Sequence, residues 1–235
     1  MQAMILAAGR GERMRPLSDT TPKPLLEVGG KPLIVWQLER LVVSGFKELV
    51  INVAHCAEAI ISALGDGSRL GASIAYSREP QPLEVAGGIA TALPFFHDGV
   101  VLIVSGDLYT EYDYATLVGR AMKMAATSGP PHAHMVMVPN PAYHPAGDFA
   151  LAGGTLTLDG AARSTFANIA LYRTSLFREL PHGEKLKMLP LYRDWIARGW
   201  VSGEIYRGMW ANVGTPADLV ELDAALRSTS TQRSS

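Results

Sequence analysis

Short apolar runs alternate with amphipathic segments through the first half of this chain, and this alternation limits the folds that it can adopt. Four runs rich in branched residues have the length of buried strands, at residues 3–7, 48–53, 73–76 and 100–104. Helical patterns accompany them at residues 31–43, 57–64, 87–93 and 113–126. The alternation predicts an α/β fold, in which a mostly parallel sheet is covered by helices on both faces.

The second half changes character, because short strands become more frequent. The predicted strands lie at residues 133–138, 148–151, 155–158, 167–172 and 204–206, and the predicted helices at residues 186–198 and 216–226. Gly153 and Gly154 separate two of these strands and predict a hairpin turn. We therefore expect a small mixed region before the last helix, followed by a disordered polar tail at residues 228–235.

Composition excludes several classes of protein. A formal net charge of −1 over 235 residues provides no general attraction to nucleic acid or to an anionic membrane. Cys56 is the only cysteine, so no internal disulfide can form, which fits a reducing compartment. The N-terminus lacks a signal-peptide pattern, and no apolar run has the length of a membrane span. We expect a cytoplasmic monomer or small homo-oligomer without nucleic-acid or membrane partners.

The loop after the first predicted strand concentrates glycines, cations and prolines. Its sequence is GRGERMRPLSDTTPKPL, residues 9–25. Gly9 and Gly11 allow the backbone to approach a ligand closely and to present N–H groups to an anion. Prolines on both sides of Lys23 restrict the backbone. The loop therefore predicts a rigid site for a polyanion, most simply phosphates, with the cations Arg10, Arg13, Arg15 and Lys23.

Two familiar phosphate-binding patterns do not fit this loop. The dinucleotide fingerprint requires a glycine where this chain has Met14, and no Gly-Lys-Ser/Thr follows as the Walker A loop requires. Residues 9–25 instead resemble the N-terminal signature of sugar-1-phosphate nucleotidyltransferases. PLEVAGGIATAL, SGDLYTEYD and WANVGTPADL extend this resemblance, in the same order, over about nine-tenths of the chain. Through GERMRPL, PLEVAGGI, HPAGDF and SGEIYRG, the chain resembles the N-acetylmuramate-1-phosphate uridylyltransferases of cell-wall recycling in particular.

The resemblance implies a Rossmann-like fold of the glycosyltransferase-A type and a nucleotidyl transfer. An oxygen of a sugar 1-phosphate, here N-acetylmuramic acid α-1-phosphate, attacks the α-phosphorus of a nucleoside triphosphate, here UTP, and pyrophosphate leaves. The attacking phosphate is already anionic near pH 7, so catalysis consists of positioning and charge stabilisation. A single domain over residues 1–227 is implied, with a nucleotide-binding part at about 1–112 and a sugar-binding part at about 113–227.

The resemblance also implies roles for individual residues. Arg13 and Lys23 would be catalytic, because Arg13 would polarise the triphosphate and Lys23 would stabilise charge at the α-phosphate. The implied nucleotide-binding residues are Ala7, Ala8, Gly9, Gly11, Glu12, Arg13, Lys23, Glu84, Gly87 and Gly88. Glu84 stands where related enzymes often have glycine. The implied sugar-binding residues are Asp107, Asp148, Asn168 and Lys187.

A carboxylate follows the fourth predicted strand, at the same sheet edge as the basic loop. Asp107 beside phosphates is unfavourable unless a cation lies between them, and Mg²⁺ commonly binds one or two protein groups together with substrate phosphates. Asp107 therefore indicates a magnesium site, with a turn or helix-cap role as the alternative. The resemblance implies Asn212 as the second ligand, where many relatives carry aspartate.

Several assignments stay open at this level. Arg15 is either a third phosphate contact or an ordinary surface residue. A mannose- or heptose-type sugar with GTP or another nucleotide is an alternative substrate pair, and a non-catalytic nucleotide-sugar sensor is an alternative of another class. His132 and His134 share a strand face, but no third zinc ligand of suitable spacing is visible. The candidates for contacting the lactyl carboxylate of N-acetylmuramate are His144, Arg163, Lys187 and Arg207.

Overall fold

This computed structural model describes residues 1–160 and 162–233. These residues contain thirteen strands and six α-helices, joined by loops and short 3-10 turns. The strands are β1 (Gln2–Leu6), β2 (Glu27–Val28), β3 (Lys31–Pro32), β4 (Glu48–Val53), β5 (Ser73–Arg78), β6 (Val100–Ser105), β7 (Leu108–Thr110), β8 (Ala133–Val138), β9 (Phe149–Ala152), β10 (Thr155–Thr157), β11 (Arg163–Arg173), β12 (Val201–Ile205) and β13 (Trp210–Asn212). The helices are α1 (Leu33–Val43), α2 (Ala57–Leu64), α3 (Glu84–Ala92), α4 (Ala115–Ala126), α5 (Leu189–Ala197) and α6 (Pro216–Arg233).

Nine of the described strands form one sheet, in the order β5–β4–β1–β6–β11–β8–β12–β10–β9. The first four are parallel to one another, and helices cross over between them. β11 lies antiparallel between β6 and β8, and β9 and β10 form the predicted hairpin. The predicted α/β fold is therefore confirmed, with parallel strands in the first half and the antiparallel strands added in the second.

Successive residues of the central strands point to opposite faces of the sheet, and both faces are covered by helices. Met4 belongs to an apolar cluster with Ile89 of α3, whereas Ile5 belongs to a second cluster with Leu38 of α1 and Leu117 of α4. All five side chains are fully buried, and each contributes about 1.5–3 kcal/mol by burial. Burial on both faces explains why the parallel strands are continuous apolar runs without polar alternation.

Two short ribbons were not expected from the sequence. β2 pairs with β3, and β7 pairs with β13, both antiparallel. Each strand has only two or three residues, too few to produce a periodic pattern. The β7–β13 ribbon is the more important, because it joins two motifs that are far apart in the chain.

The limits of five helices differ from expectation, and α1 and α4 each begin two residues later than predicted. α3 begins at Glu84 and so includes part of the PLEV sequence, and α5 begins at Leu189 instead of residue 186. α6 continues to Arg233, so residues 228–233 are helical where we expected a disordered tail; residues 234–235 lie outside the described residues. No helix in the described part of the chain is both long and apolar enough to cross a membrane.

The SGEIYRG motif contributes to a buried polar network among β8, β12 and α4. The carboxylate of Glu204 accepts hydrogen bonds from the Tyr112 hydroxyl at 2.5 Å and from Arg120 at 2.9 Å. His134 Nε2 lies 3.4 Å from the same carboxylate, and its Nδ1 lies 2.8 Å from Ser202 Oγ. Contacts from His134, Tyr112 and Arg120 lower the pKa of Glu204 to about 2. The network therefore holds α4 against the sheet through an ionised carboxylate.

We expect Glu204 to make stability depend on pH in the acid range. Because its pKa in the folded protein lies below the ordinary 4.5, its contribution is complete above about pH 4.5 and is lost as the pH falls toward 2. Glu204→Gln should lower the free energy of unfolding at pH 7 by about 1–3 kcal/mol. It should also flatten the acid dependence, measured by urea unfolding at a series of pH values. Glu221→Gln, at an exposed glutamate of α6, is the control, and an unchanged acid profile in Glu204→Gln would contradict this role.

Candidate active site

A cavity of about 810 Å³ opens at the carboxyl ends of the parallel strands, the edge at which open α/β sheets bind ligands. Leu6 of β1, Asn52 of β4 and Ser105 of β6 line it. We call it the nucleotide cavity, after the residues predicted to bind nucleotide. Those that line it are Ala7, Ala8, Gly9, Gly11, Glu12, Arg13, Lys23 and Glu84. The basic loop and the start of α3 therefore face the same space, as expected.

The basic loop is folded back on itself by three short 3-10 turns, Glu12–Met14, Leu17–Asp19 and Lys23–Leu25. Gly11 has a φ of +63°, and a Cβ atom there would lie 3.0 Å from Cβ of Lys23. Both the backbone conformation and this short contact favour glycine at the position. Its carbonyl oxygen accepts hydrogen bonds from the Met14 N–H and the Ser18 hydroxyl, both at 2.8 Å. Packing and hydrogen bonds therefore hold the loop in addition to its prolines.

Lys23 and Asp107 form an ion pair at the edge of this cavity. Lys23 is only 9% exposed, and its ammonium nitrogen lies 2.5 Å from Oδ2 of Asp107. The other oxygen, Oδ1, accepts a hydrogen bond from the Ser105 hydroxyl at 2.6 Å. A charge this deeply placed needs a partner, because desolvation of an unpaired ammonium group costs several kcal/mol. The fold thus joins the predicted catalytic lysine to the predicted metal-binding carboxylate.

Arg10 and Arg13 provide cations that have no ion-pair partner among the described residues. Both line the nucleotide cavity, and no described carboxylate lies within salt-bridge distance of either. Arg13 lies over the turn at Gly214, where an added Cβ atom would be 3.4 Å from Nη1. Arg15 does not line the cavity and pairs with Asp19 at 3.2 Å, so the structure favours the surface role for it. Two guanidinium groups are therefore available to an anionic ligand.

Backbone donors add to this cationic surface. The N–H groups of residues 8–11 find no acceptor among the described residues, whereas the Ala7 N–H donates to Asn52 at 2.8 Å. Asn52 donates to Glu79 at 2.7 Å, and Glu79 accepts from the Leu83 N–H at 2.9 Å. Burial raises the pKa of Glu79. The sequence analysis missed this chain of contacts, which ties the basic loop to the start of α3, because no local pattern connects its members.

The β7–β13 ribbon brings Asp107 and Asn212 to the same edge. Asn212 pairs with Leu108, and the Val213 N–H donates to the Asp107 carbonyl at 3.1 Å. No group of three or more His, Cys, Asp or Glu side chains in the described part could hold a metal ion by itself. A carboxylate and an amide oxygen nevertheless suit Mg²⁺, which commonly uses one or two protein groups, substrate phosphates and water. The donor chemistry of Asp107 and Asn212 therefore fits this ion.

Glu84 begins α3 in a left-handed backbone conformation. Its φ of +62° lies in the region that favours glycine and costs other residues about 1–2 kcal/mol. Its side chain lines the nucleotide cavity and lies 3.9 Å from the Lys185 ammonium group. A glycine would adopt this conformation without such a cost. Glu84 adopts this strained conformation, and its carboxylate therefore lies beside the nucleotide cavity.

Gly87 and Gly88 do not line the nucleotide cavity, in contrast to the expectation that they let a ligand approach the backbone. A Cβ atom on Gly87 would lie 2.1 Å from the Glu184 carbonyl oxygen. The Gly87 N–H donates to the Leu186 carbonyl at 3.2 Å. A Cβ atom on Gly88 would lie 2.7 Å from the Glu79 carboxylate. The close approach is therefore made by the protein itself, and the two glycines position α3 beside the cavity.

A second cavity, of about 270 Å³, lies between β11, β13 and residues 143–149; we call it the sugar cavity after its predicted ligand. Asn168 lines it from an irregular part of β11, where its φ is +56° and the register against β8 shifts. Trp210 lines it too, and its indole N–H donates to the Ala167 carbonyl at 3.0 Å. Bulges re-aim side chains, so this irregularity explains how Asn168 shares the cavity with Asn212.

Asp148 and His144 line the sugar cavity as a pair. Nε2 of His144 lies 3.1 Å from Oδ1 of Asp148, and the other carboxylate oxygen accepts from the Phe166 N–H at 2.8 Å. Tyr143 is adjacent, 61% exposed, and contacts the Asn212 side chain; partial burial raises its pKa. Asp148, predicted to bind the sugar, therefore lines this cavity together with a histidine that was not predicted to pair with it.

Three predicted cations line neither cavity. Lys187 is exposed ahead of α5, whereas Lys185 lines the nucleotide cavity and was not predicted. Arg163 donates to a backbone carbonyl of the preceding turn at 2.9 Å, and Arg207 is exposed. Lys187 was expected in the first turn of a helix that starts at residue 186, whereas α5 starts at Leu189. Of the four candidates for the lactyl carboxylate, His144 alone lines the sugar cavity.

Comparisons with known proteins agree with this arrangement. The family model described as Nucleotidyl transferase matches residues 2–141. The N-acetylmuramate alpha-1-phosphate uridylyltransferase of Neisseria meningitidis serogroup B is 46% identical over 95% of this chain and 97% of its own. The Caulobacter vibrioides protein of the same name is 32% identical over 95% of this chain and 96% of its own. A Bacillus anthracis structure described as a glucose-1-phosphate thymidylyltransferase has a TM-score of 0.84 at 20% identity, covers 97% of this chain and 95% of its own, and shows the same fold.

Proposed function

Because this chain belongs to the nucleotidyl transferase family, we propose that it transfers UMP from UTP to N-acetylmuramic acid α-1-phosphate and releases pyrophosphate. The two uridylyltransferases similar to it over nearly their full lengths support this choice of substrates. The observation that carries the chemistry is a pair of guanidinium groups, Arg10 and Arg13, that line the cavity with the Lys23–Asp107 ion pair and have no carboxylate partner in the described part of the chain. We place the activity in the cytoplasm, in the recycling of peptidoglycan.

The nucleotide cavity has the groups that a phosphate-to-phosphate transfer needs. Arg10 and Arg13 bind the triphosphate, together with the backbone N–H groups of residues 8–11. Lys23 is held at the cavity edge. It stabilises the charge that develops while the new oxygen bond to the α-phosphorus forms and the bond to pyrophosphate breaks. The attacking phosphate oxygen carries no proton that must be removed, so the site requires orientation more than a general base.

Asp107 and Asn212 are the residues that would hold Mg²⁺. The ion, when bound, would neutralise phosphate charge and orient the two substrates. Asp107 already accepts hydrogen bonds from Ser105 and Lys23, so its carboxylate is oriented by the protein itself. With the amide oxygen of Asn212, the protein supplies one negative charge to this site, and the substrate phosphates supply the rest.

The start of α3 contributes the groups for the base and ribose. Gln81 lines the nucleotide cavity and was not predicted. Its side-chain amide offers one acceptor and two donors, which match the N3–H and O4 edge of uracil. The carboxylate of Glu84 accepts hydrogen bonds from ribose hydroxyls. The strained conformation of Glu84 supports this role, because strained backbone conformations are concentrated at sites that bind ligands or catalyse reactions.

The residues that line the two cavities come from different parts of the chain. Apart from Lys185 and Gly214, every residue that lines the nucleotide cavity lies between residues 6 and 107. The sugar cavity is lined by residues between 143 and 212. This supports a single domain over residues 1–227, with a nucleotide-binding part at about 1–112 and a sugar-binding part at about 113–227.

We expect a panel of nucleoside triphosphates and sugar 1-phosphates to give the highest kcat/KM for UTP with N-acetylmuramic acid α-1-phosphate. The measurement is pyrophosphate release, with formation of the UDP-sugar checked by mass spectrometry. N-acetylglucosamine 1-phosphate is the matched control, because it lacks only the lactyl ether. Glucose, mannose and heptose phosphates, each with UTP, GTP and dTTP, complete the panel.

The outcomes of this panel are separable. A preference for GTP with a mannose- or heptose-type phosphate would overturn the proposed substrates and leave the nucleotidyl transfer intact. Nucleotide-sugar binding without pyrophosphate release from any pair would favour the sensor alternative. Requirement for Mg²⁺ is tested in the same assay by chelation and by titration of the metal.

A further inference from the structure

The sugar cavity contains an imidazole–carboxylate pair whose role the reaction chemistry does not explain. His144 and Asp148 are each about one-third exposed and both line the cavity. Both carboxylate oxygens of Asp148 already accept hydrogen bonds, from His144 and from the Phe166 N–H. Because Nε2 of His144 faces Asp148, its Nδ1 remains for another partner.

The loop that carries this pair is held in place by one asparagine. The Asn140 side-chain amide donates to the Pro145 carbonyl at 3.1 Å and to the Arg163 carbonyl at 3.0 Å. Its oxygen accepts from the Thr165 hydroxyl at 2.9 Å. The loop is thus fixed to β11 on both sides of His144. A histidine held in this way is pre-organised, so little conformational entropy is lost when a ligand binds it.

The charges in this cavity are few. Besides His144 and Asp148, the residues that line it are phenols, amides, a hydroxyl and apolar groups: Tyr143, Phe149, Thr165, Phe166, Asn168, Leu189, Tyr192, Trp210 and Asn212. Tyr192 of α5 faces the pair, and the charge of Asp148 acts on its hydroxyl. The charges of Asp218, Arg13 and Asp107 act on the neighbouring Tyr143 hydroxyl. Among the lining residues, His144 is therefore the one that can present a positive charge to an acidic substituent on the sugar.

We infer that His144, positioned by Asp148, is the specificity residue that recognises a carboxylate substituent on the sugar phosphate. This inference rests on the proposed function and adds the group that separates an acidic sugar from its neutral counterpart. Imidazolium Nδ1–H donates to the carboxylate of the ligand, while Nε2–H donates to Asp148. A charge-assisted hydrogen bond of this kind is stronger than a neutral one.

The direction of the pH dependence follows from this contact. Histidine changes charge between about pH 5 and 8. An imidazolium group attracts a carboxylate, whereas a neutral imidazole does not compensate the repulsion between the ligand carboxylate and a second carboxylate beside it. Preference for the acidic sugar should therefore be greatest at low pH and fall as the pH rises. Both sugar phosphates carry the same phosphate group, so its titration cancels in their ratio.

The test compares kcat/KM for N-acetylmuramic acid α-1-phosphate and N-acetylglucosamine 1-phosphate from pH 5.5 to 8.5. We expect the ratio in the unaltered enzyme to fall with rising pH. His144→Gln should lower the ratio at low pH by about 10- to 100-fold and remove its pH dependence. His144→Lys should restore a preference for the acidic sugar that no longer varies over this range. Asp148→Asn should weaken the preference, since the imidazole loses its orienting partner.

His182→Gln, at an exposed histidine outside both cavities, is the control and should keep the profile of the unaltered enzyme. Thermal unfolding of each variant, with calorimetric binding of the two sugar phosphates in the absence of UTP, separates misfolding from loss of recognition. An unchanged ratio and pH profile in folded His144→Gln would overturn the inference while the proposed function stands. If the unaltered enzyme does not prefer N-acetylmuramic acid α-1-phosphate at any pH, the proposed substrate fails, and the inference fails with it.

Discussion

Lys23→Ala is expected to lower kcat for pyrophosphate release by about 100-fold or more, because it removes a pre-organised cation from the position where phosphate charge develops. The ammonium group is nearly buried and lies 2.5 Å from Asp107, so no other described side chain is placed to replace it. Arg13→Ala should have an effect of similar size, since no carboxylate of the described residues competes with the triphosphate for Arg13. Steady-state kinetics with saturating substrates measures both losses.

Arg15→Ala provides a matched control for these loop variants. Arg15 belongs to the same loop but is exposed and paired with Asp19, so its removal should change kcat less than about 3-fold. Thermal unfolding distinguishes chemistry from folding, because Lys23→Ala leaves Asp107 without its ion-pair partner and is expected to reduce stability as well. Lys23→Met keeps the apolar stem and tests the charge alone. A Lys23→Met enzyme with nearly normal turnover would exclude the catalytic role of this lysine.

Asp107→Ala is expected to abolish most of the Mg²⁺-dependent activity, again by about 100-fold or more, and excess Mg²⁺ should restore only part of it. Asp107 supplies the only protein charge of the proposed metal site, since its partner Asn212 is neutral. Asp107→Asn keeps the size of the side chain and its contact with Ser105, so it separates loss of charge from loss of packing. Calorimetric titration of Mg²⁺ with a non-hydrolysable UTP analogue provides a readout that does not depend on turnover.

Asn212→Asp is the complementary variant at this site. It adds a negative charge to the proposed metal site, so activity should be retained and the Mg²⁺ concentration for half-maximal rate should fall. Loss of activity in Asn212→Asp would show that the added charge repels the substrate phosphates more than it attracts the metal. Normal turnover of Asp107→Ala would place the metal elsewhere and leave Asp107 as the structural partner of Lys23.

Much of the fold was determined by local patterns in the sequence. The predicted limits of β4, α2 and β8 agree with the structure, because their apolar and branched residues lie in uninterrupted runs bounded by turn residues. The hairpin at Gly153 and Gly154 was equally local, since both positions have positive φ. The two-residue and three-residue ribbons were missed, because they are held by contacts between distant segments and have no period of their own.

The predicted site residues divide along the same line. Arg13, Lys23, Asp107, Asp148 and Asn168 were predicted from motifs and resemblance, and in the structure each lines one of the two cavities. Lys187 lines neither cavity, so its role in sugar binding stays a prediction. Gly87 and Gly88 were expected to let a ligand approach the backbone, whereas in the structure the groups close to them are the backbone of residues 184–186 and the Glu79 carboxylate.

The sequence by itself determined the α/β class, the positions of most elements and the presence of a basic, glycine-containing loop after the first strand, because periodicity, turn chemistry and charge are local properties. Only the tertiary structure decided which charges are paired. Lys23 meets Asp107 and Arg15 meets Asp19, while Arg10 and Arg13 remain unpartnered among the described residues. It also decided that His144 shares a cavity with Asn168 and Asn212. The other three candidates for the lactyl carboxylate, which are Arg163, Lys187 and Arg207, do not line it. These outcomes depend on distances between residues far apart in the chain, which are set by packing and strand order.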